Sequence, residues 1–349
     1  MALLVMAASV PVQAKTPEAQ VLSAQLDAYF TRQTAAGLFS GSVLIARDQA
    51  ILFDTAYGLA DREFGVPNTP QTRYLLASVS KQFIAMSVLL LQQQQKLTVQ
   101  DHVCQYVPDC PRAWNAITLH HLLTHTSGIP DYMAFDDFVT QMGQPYSSTQ
   151  LVGWFRNKPL EFVPGTRWRY SNSGYALLGY IIEQVSGEPL TQFLSESIFT
   201  PLQMADSGYD PDNTTWSGMA RGYEGDAPSD YMDMSVAFAP GGLYASTEDL
   251  WRWSTAMDAG TLIDGNIGKL LFQPYVRIPG VHTGYYGYGW YVRKRVGHNV
   301  LEHTGTLAGF TTIITRFPNE HVTMIILSNQ DVNINVIANT VTRYVFNSR

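Results

Sequence analysis

The chain has 349 residues, of which 46% are hydrophobic and 15% are charged, so it can bury a large core and suits a globular protein with two lobes of ordinary domain size. Its formal net charge of -7 gives no electrostatic footprint for nucleic acid. No basic run suggests an anionic membrane surface as a partner.

The first segment resembles a targeting sequence. Residues 2–12 are apolar, and Val12-Gln13-Ala14 precede Lys15 in the manner of a small-residue cleavage site. We therefore predict a signal peptide at residues 1–14 and an exported protein, periplasmic or secreted; the alternative is a buried N-terminal strand. The apolar run is too short to span a bilayer.

A helix and two strands are predicted next. Gly37 is placed to end the helix, and strand-like runs follow at residues 41–46 and 51–57, with a hinge at Asp48-Gln49. Apolar residues fall on one face of the predicted helix at Val21, Leu22, Leu26, Tyr29 and Phe30.

The middle of the chain is predicted to be helical or irregular. Residues 82–95 carry no formal charge and predict a helix that is apolar nearly all round and centrally buried. From residue 97 to residue 234 the patterns are helical or broken by prolines. Cys104 and Cys110 can close a small disulfide loop in an oxidising compartment or remain as two free structural cysteines.

Strands return in the last third of the chain. A helix at residues 247–256 has a capping serine, Ser246, at its start. The predicted strands cover residues 289–295, 300–303, 310–317 and 322–328, and a helix with one apolar face follows at residues 332–346.

This order of elements predicts an α/β (α+β) fold: an antiparallel sheet flanked by helices and built from both termini, plus an inserted all-helical lobe. We assign residues 15–80 and 236–349 to the mixed lobe and residues 81–235 to the helical lobe. The catalytic cleft is expected between the two lobes.

The first candidate for chemistry is the pair Ser78 and Lys81. Desolvation at the mouth of an uncharged helix disfavours the ammonium form of Lys81, which lowers its pKa. A lysine of this kind, one turn from a serine hydroxyl, is a base beside a nucleophile. The Ser-x-x-Lys spacing also arises by chance, so other motifs have to support it.

Two further motifs have the required residue types. Tyr170 and Asn172 lie two residues apart in a turn-rich stretch, where a phenol near basic groups can share its proton and an amide can orient both partners. His303-Thr304-Gly305-Thr306 is predicted at the end of a strand. Glycine there allows a substrate backbone to approach the strand edge. Each motif alone is also compatible with ordinary loop or strand-end chemistry.

Together, Ser78-x-x-Lys81, Tyr170-x-Asn172 and His303-Thr304-Gly305 resemble the serine β-lactamase and penicillin-binding-protein superfamily. The most similar groups are the class C β-lactamases and the serine DD-carboxypeptidases. Residues 122–128 and 240–247 contribute two supporting phrases, and the resemblance covers residues 20–345.

The resemblance implies a role for each matching residue. It implies that Ser78 is acylated, that Lys81 takes or relays its proton, and that Tyr170 shuttles a proton to the leaving group. Asn172 is implied to hold Lys81 and the substrate amide. Backbone N–H groups of Ser78 and Thr306 are implied as the oxyanion hole, and His303, Thr304, Gly305 and Thr306 as the substrate-binding strand. Whether lysine or tyrosine is the base stays open.

The third motif bears on the substrate. His303 stands where class C β-lactamases usually have lysine, and histidine there resembles DD-peptidases, D-amino-acid amidases and related esterases. Because a neutral imidazole attracts a carboxylate less strongly than an ammonium does, antibiotic hydrolysis is not our first expectation.

Nearby charges have two interpretations. Glu302 is expected to point away from His303, in a solvated or ion-paired position. Arg293, Lys294 and Arg295 either supply a carboxylate anchor or form a solvated charge cluster on an edge strand.

The sequence has no motif that indicates a metal site or a cofactor site. His120, His121 and His125 invite a metal interpretation, but no glutamate or third ligand cluster completes it. A Gly-x-Ser-x-Gly nucleophile elbow and a Gly-rich phosphate loop are both absent from the sequence. We expect no metal and no organic cofactor.

The favoured function is a serine hydrolase that forms an acyl-enzyme, acting as a D-alanyl-D-alanine carboxypeptidase, a D-amino-acid peptidase or a β-lactamase. The alternatives are a small-ester esterase of the same fold and a penicillin-binding sensor or scaffold with little turnover. The expected partner is a small-molecule or peptide substrate, and the expected state is a monomer.

Overall fold

The computed structural model describes residues 16–209, 218–281, 284–307 and 309–347. The signal peptide expected at residues 1–14 lies outside the described residues. The helices are α1 Pro17–Ala35, α2 Lys81–Gln93, α3 Leu119–Leu123, α4 Asp136–Val139, α5 Ser148–Arg156, α6 Asn172–Ser186, α7 Leu190–Leu194, α8 Met234–Gly241, α9 Thr247–Ala259, α10 Gly265–Gly268 and α11 Ile334–Asn347. The strands are β1 Gly41–Arg47, β2 Ala50–Tyr57, β3 Leu59–Asp61, β4 Val66–Pro67, β5 Tyr74–Leu75, β6 Gly208–Tyr209, β7 Tyr223–Glu224, β8 Ala227–Pro228, β9 Leu243–Ala245, β10 Val276–Arg277, β11 Tyr285–Tyr286, β12 Tyr291–Arg295, β13 His298–Leu307, β14 Phe310–Phe317 and β15 Val322–Ser328.

The main sheet has eight strands in the order β10-β11-β12-β13-β14-β15-β1-β2, and every neighbouring pair is antiparallel. β1 therefore lies beside β15, which comes from the other end of the chain. Asp48 and Gln49 join β1 to β2 with φ of 48° and 65°, the sign that a tight hairpin turn needs at both central residues. The antiparallel sheet built from both termini is confirmed.

The two faces of the sheet are covered by different helices, because successive side chains along a strand point to opposite faces. One face packs against α1 and α11 in a cluster that includes Leu26, Phe30, Ile313, Ile326 and Val341. The other face belongs to the larger core, which includes Leu44, Phe83, Trp253, Ile314 and Ile325.

Helix α2 is the centre of this larger core. Every residue from Lys81 to Leu91 is buried, as its uncharged sequence predicted. The helix ends at Gln93, earlier than the predicted residue 95, because Gln95 takes φ of 58° and leaves the helical conformation.

β1 ends at Arg47, β2 begins at Ala50 and β13 begins at His298, each one or two residues outside its predicted range. Two further strand boundaries that differ from their predictions lie near the start of α2. The strand predicted at residues 300–303 continues to Leu307, because residues 304–307 pair with β14. The strand predicted from residue 289 begins at Tyr291. Gly289 has φ of 75°, and a Cβ there would lie 2.7 Å from the Lys81 carbonyl oxygen, so this position packs tightly against the start of α2.

Cys104 and Cys110 form a disulfide in the segment between α2 and α3, which resolves the two alternatives that the sequence left open. Within the described ranges, no helix is long and apolar enough to cross a membrane. The division into lobes at residues 80/81 and 235/236 stays a prediction.

Candidate active site

Ser78 lies in a 3-10 turn, Ala77–Ser80, that runs directly into α2. Ala77 has φ of 47°, a left-handed conformation that costs a non-glycine residue about 1–2 kcal/mol. Ser78 is half-buried, whereas Lys81 is fully buried one turn later. The turn thus keeps Ser78 partly accessible while its basic neighbour is sealed from water.

Lys81 has three polar partners. Its Nζ lies 3.1 Å from Ser78 Oγ, 2.8 Å from Asn172 Oδ1 and 2.9 Å from the Pro240 carbonyl oxygen. Burial lowers the pKa of Lys81 to about 7, against a weaker opposing attraction from Asp131. A neutral amine can donate to the amide and carbonyl oxygens, neither of which can donate in return. Its lone pair then accepts the Ser78 hydroxyl proton.

Tyr170 lies beside Lys81, whose Nζ is 4.8 Å from the centroid of the phenol ring. Its hydroxyl is buried and makes no hydrogen bond of normal geometry with the residues that the structure describes. Burial raises the pKa of Tyr170 well above its usual value, while the neighbouring Ser78 hydroxyl acts in the opposite direction. This phenol therefore keeps its proton at neutral pH, and Ser78 is its polar neighbour.

The Asn172 amide joins Lys81 to a carboxylate that the sequence analysis missed. Asn172 Nδ2 donates to Asp131 Oδ2 at 3.0 Å, and the Asn172 backbone N–H donates to Asp131 Oδ1 at 3.2 Å. Asp131 lies three residues beyond Gly128, which ends the supporting phrase at residues 122–128. Its position next to that phrase was the available signal.

The side chain of His303 is buried and already hydrogen bonded at both ring nitrogens. Nδ1 lies 2.7 Å from the Thr304 carbonyl oxygen, which only accepts, so Nδ1 carries the hydrogen and Nε2 accepts from the Tyr286 hydroxyl at 2.9 Å. Burial, followed by the nearby Lys81, lowers the pKa of His303 to about 3. The imidazole is therefore neutral across the ordinary pH range.

Strand β13 passes directly beside the residues that precede Ser78. The Thr312 hydroxyl of β14 donates to the Leu76 carbonyl oxygen at 2.8 Å, and a Cβ at Gly305 would lie 2.3 Å from the same oxygen. Thr304 is half-buried and Thr306 is exposed, so both remain accessible from the adjoining surface. The structure thus brings the Ser78, Tyr170 and His303 segments together.

Aromatic rings pack around His125, and two of them, Tyr170 and Tyr175, also lie close to the buried Lys81 amine. The His125 ring lies 4.3 Å from the Tyr170 ring, 5.1 Å from Tyr175 and 4.7 Å from Tyr286, measured between centroids. Burial lowers the pKa of His125 well below its usual value. These rings come together only in the folded chain, so the sequence predicted no such contacts for His125, which entered as a candidate metal ligand and as part of the supporting phrase at residues 122–128.

The charges beside His303 form a buried network. The Glu302 carboxylate accepts hydrogen bonds from Arg295 at 2.8 Å and from the Thr315 hydroxyl at 2.9 Å. It also accepts one from Arg293. Burial alone would raise the pKa of Glu302, but the two guanidinium groups outweigh it and the pKa is lowered. The ion-paired expectation for Glu302 is confirmed and the solvated one is wrong.

The same network changes the interpretation of the arginines. β12 lies between β11 and β13, so the expectation of an edge strand is wrong. Arg295 is buried and also contacts Asn335 and Asn339, and Arg293 is bound to Glu302. Both guanidinium groups are occupied by protein partners, which leaves them poorly placed as a carboxylate anchor.

The three histidines of the metal hypothesis serve other contacts. His120 Nδ1 pairs with the Tyr288 hydroxyl at 2.7 Å. His121 Nδ1 accepts from the Thr118 N–H in a helix-capping box, and His125 Nδ1 accepts from the Ser171 N–H. Over the described part of the chain, no group of three or more His, Cys, Asp or Glu side chains has the arrangement of a metal site.

Comparisons with known proteins identify the family of this chain. The family model described as Beta-lactamase matches residues 26–343. Penicillin-binding protein 4* of Bacillus subtilis (strain 168) is 30% identical over 316 residues, covering 84% of this chain and 68% of that protein.

Two solved structures extend the comparison. The octameric penicillin-binding protein homologue from Pyrococcus abyssi has a TM-score of 0.82 and 25% identity, over 93% of this chain and 77% of that one. D-amino acid amidase from Ochrobactrum anthropi SV3 has a TM-score of 0.82 over 96% of this chain and all of its own. Its 23% identity is evidence for a shared fold alone.

The fold, with a serine and a buried lysine at the start of its central helix, defines a serine hydrolase of the β-lactamase and penicillin-binding-protein type. The chain belongs to the Beta-lactamase family.

Proposed function

We propose that this protein is an acyl-serine hydrolase of D-amino-acid peptides, amides or esters, with Ser78 as nucleophile and Lys81 as its base. The observation that carries the proposal is the buried Lys81 Nζ, 3.1 Å from Ser78 Oγ, with its pKa lowered to about 7. About half of the lysine is then neutral at pH 7 and ready to accept a proton.

In the proposed reaction Ser78 Oγ attacks the substrate carbonyl carbon while its proton passes to Lys81. Backbone N–H groups of Ser78 and Thr306 stabilise the oxyanion. Tyr170 donates its hydroxyl proton to the leaving group and regains one from Lys81. A water molecule then hydrolyses the acyl-enzyme through the same groups, with the proton transfers reversed.

The charges around the strand motif support a ranking of substrates. His303 is neutral, and Arg293 is held by Glu302, so the substrate carboxylate of a D-alanyl-D-alanine peptide or a β-lactam meets hydroxyls rather than cations. Thr304 and Thr306 would supply those hydroxyls. We therefore rank D-amino-acid amides and esters above the carboxypeptidase and β-lactamase substrates.

The test is a panel of four substrates: a D-amino-acid amide, a p-nitrophenyl ester, a D-Ala-D-Ala peptide and a chromogenic cephalosporin. We expect the amide and the ester to show the higher kcat/KM, and Ser78→Ala to lose turnover of every substrate. Ser23→Ala on α1 is the matched control. A stable adduct with penicillin and no turnover would instead identify a sensor, and an active Ser78→Ala would refute the mechanism.

We further propose that the protein is exported and acts as a monomer. The apolar segment at residues 2–12 and the Cys104–Cys110 disulfide support an oxidising compartment. Cell fractionation of the full chain tests export, and retention in the cytoplasm would contradict it. Light scattering tests the monomer against an assembly of the kind described for the Pyrococcus abyssi homologue.

A further inference from the structure

Asp131 lies behind Asn172 and touches neither Ser78 nor Lys81 by a hydrogen bond. We propose that Asp131 is a positioning residue: it fixes the Asn172 side chain so that the amide oxygen, and not the amide nitrogen, faces Lys81. This inference rests on the proposed function, because it concerns how the base of that reaction is held.

The Asn172 amide needs an external determinant, because its oxygen and NH₂ ends have nearly the same shape and size. Asp131 supplies it by accepting twice from the same residue. Oδ2 accepts from Asn172 Nδ2 at 3.0 Å, and Oδ1 accepts from the Asn172 backbone N–H at 3.2 Å. An ionised carboxylate can only accept, so a flipped amide would place two oxygens together and an NH₂ group against Lys81.

Asp131 is itself held firmly. Its Oδ1 caps the 3-10 turn Tyr132–Ala134 by accepting from the Met133 N–H at 3.2 Å. The Ser173 hydroxyl donates to the Pro130 carbonyl oxygen at 2.6 Å and accepts from the Tyr132 N–H at 2.9 Å. The carboxylate is therefore tied on both sides to the first turn of α6, which carries Asn172.

The negative charge has a second effect on the base. Burial lowers the pKa of Lys81, and Asp131 partly offsets this by attracting the ammonium form. Burial also raises the pKa of Asp131, and contacts with Met133, Lys81 and Asn172 offset only part of that increase. The other titratable groups packed around Lys81 are His125 after α3, Tyr170 before α6, Tyr175 on α6 and His303 on β13.

The test compares Asp131→Asn with Asp137→Asn, an exposed position on α4 that loses the same charge. An asparagine at 131 directs its own NH₂ group at the Asn172 amide, so we expect kcat/KM to fall about 100-fold, as for a displaced catalytic group. The acid limb of the pH profile of kcat/KM should move to lower pH by roughly one unit. Without the Asp131 charge the ammonium form of Lys81 is less stable, so the pKa of Lys81 falls. Asp137→Asn should change neither quantity.

A purely structural role predicts a different result: lower activity with the acid limb still near pH 7. That result would overturn the inference. Combining Asp131→Asn with Asn172→Ala gives a second test, since a residue that acts through Asn172 should cost little more once Asn172 is removed. Losses that multiply fully would also overturn it. If Asp131→Asn fails to fold, Asp131→Ser, which keeps an acceptor for the Met133 N–H, replaces it.

A direct titration separates this inference from the proposed function. In protein labelled with ¹³C at lysine Cε, the Lys81 signal is assigned by its absence in Lys81→Met, and its pKa is measured without any substrate. We expect a lower Lys81 pKa in Asp131→Asn, and an unchanged value would refute the inference even in an active enzyme. Full activity of Ser78→Ala would refute the proposed function while leaving this titration valid.

Discussion

Replacing Lys81 with methionine perturbs a proton-binding group at the centre of the proposed site while keeping most of its volume. In the folded protein burial lowers the pKa of Lys81 to about 7, although Asp131 opposes the shift, and unfolding returns it to its ordinary 10.5. Between pH 7 and 10.5 the unfolded chain therefore binds one proton more than the folded chain. The stability of the wild type should rise with pH across that window, and this contribution is lost as the pH falls towards 7.

The magnitude follows from the size of the shift. One pKa unit corresponds to about 1.4 kcal/mol, so the free energy of unfolding should change by about 5 kcal/mol over the full window and by roughly half of that between pH 7.5 and 9.5. Methionine binds no proton in either state. The free energy of unfolding of the wild type relative to Lys81→Met should therefore increase by that amount, because all other titrating groups are shared.

Urea unfolding at pH 7.5, 8.5 and 9.5, with the disulfide kept intact, measures this difference. Lys96→Met is the matched control, because it makes the same substitution at an exposed position. We expect the Lys81→Met difference to grow with pH well beyond any change in the Lys96→Met difference. A flat line for Lys81→Met would mean that the lysine remains protonated, and the account of the base would be wrong.

Three other substitutions test separate parts of the structure. Gly305→Ala places a methyl 2.3 Å from the Leu76 carbonyl oxygen, so we expect urea unfolding to show a loss of about 1–3 kcal/mol together with lower kcat/KM; unchanged values would contradict the close approach. Glu302→Gln leaves the buried Arg295 without its carboxylate, and we expect a loss of about 3–5 kcal/mol, whereas a loss below about 1 kcal/mol would count against the network. His303→Lys should raise kcat/KM for a D-Ala-D-Ala peptide relative to a D-amino-acid amide at least about tenfold, and an unchanged ratio would argue against a substrate-binding role for this position.

Most of the scaffold could be predicted because its signals are local. The uncharged run after Lys81 allows only a buried helix, and the serine cap of α9 is a contact between residues three apart. The end of β13 could not be predicted in this way. Residues 304–307 have no apolar alternation of their own, and their pairing with β14 places His303 inside a strand rather than at its end.

In the candidate site, too, contacts between neighbouring residues could be predicted and contacts between distant segments could not. Ser78 and Lys81 are neighbours on one helical turn, so their spacing alone brought them together. The position of Asp131 depends on how the loop after α3 packs on the start of α6. The hydrogen bond at His303 Nε2 depends on Tyr286, which lies on another strand. Contacts of this kind join distant segments and leave no spacing pattern in the sequence.

The central claim is that Ser78 is the nucleophile and that Lys81 activates it. The most direct measurement is intact-protein and peptide mass spectrometry after brief mixing with a penicillin and with an activated ester. The account predicts a single acyl adduct on Ser78 in the wild type, none in Ser78→Ala, and an acylation rate about 100-fold or more lower in Lys81→Met. An adduct on another residue, or equal labelling of Ser78→Ala, would contradict it.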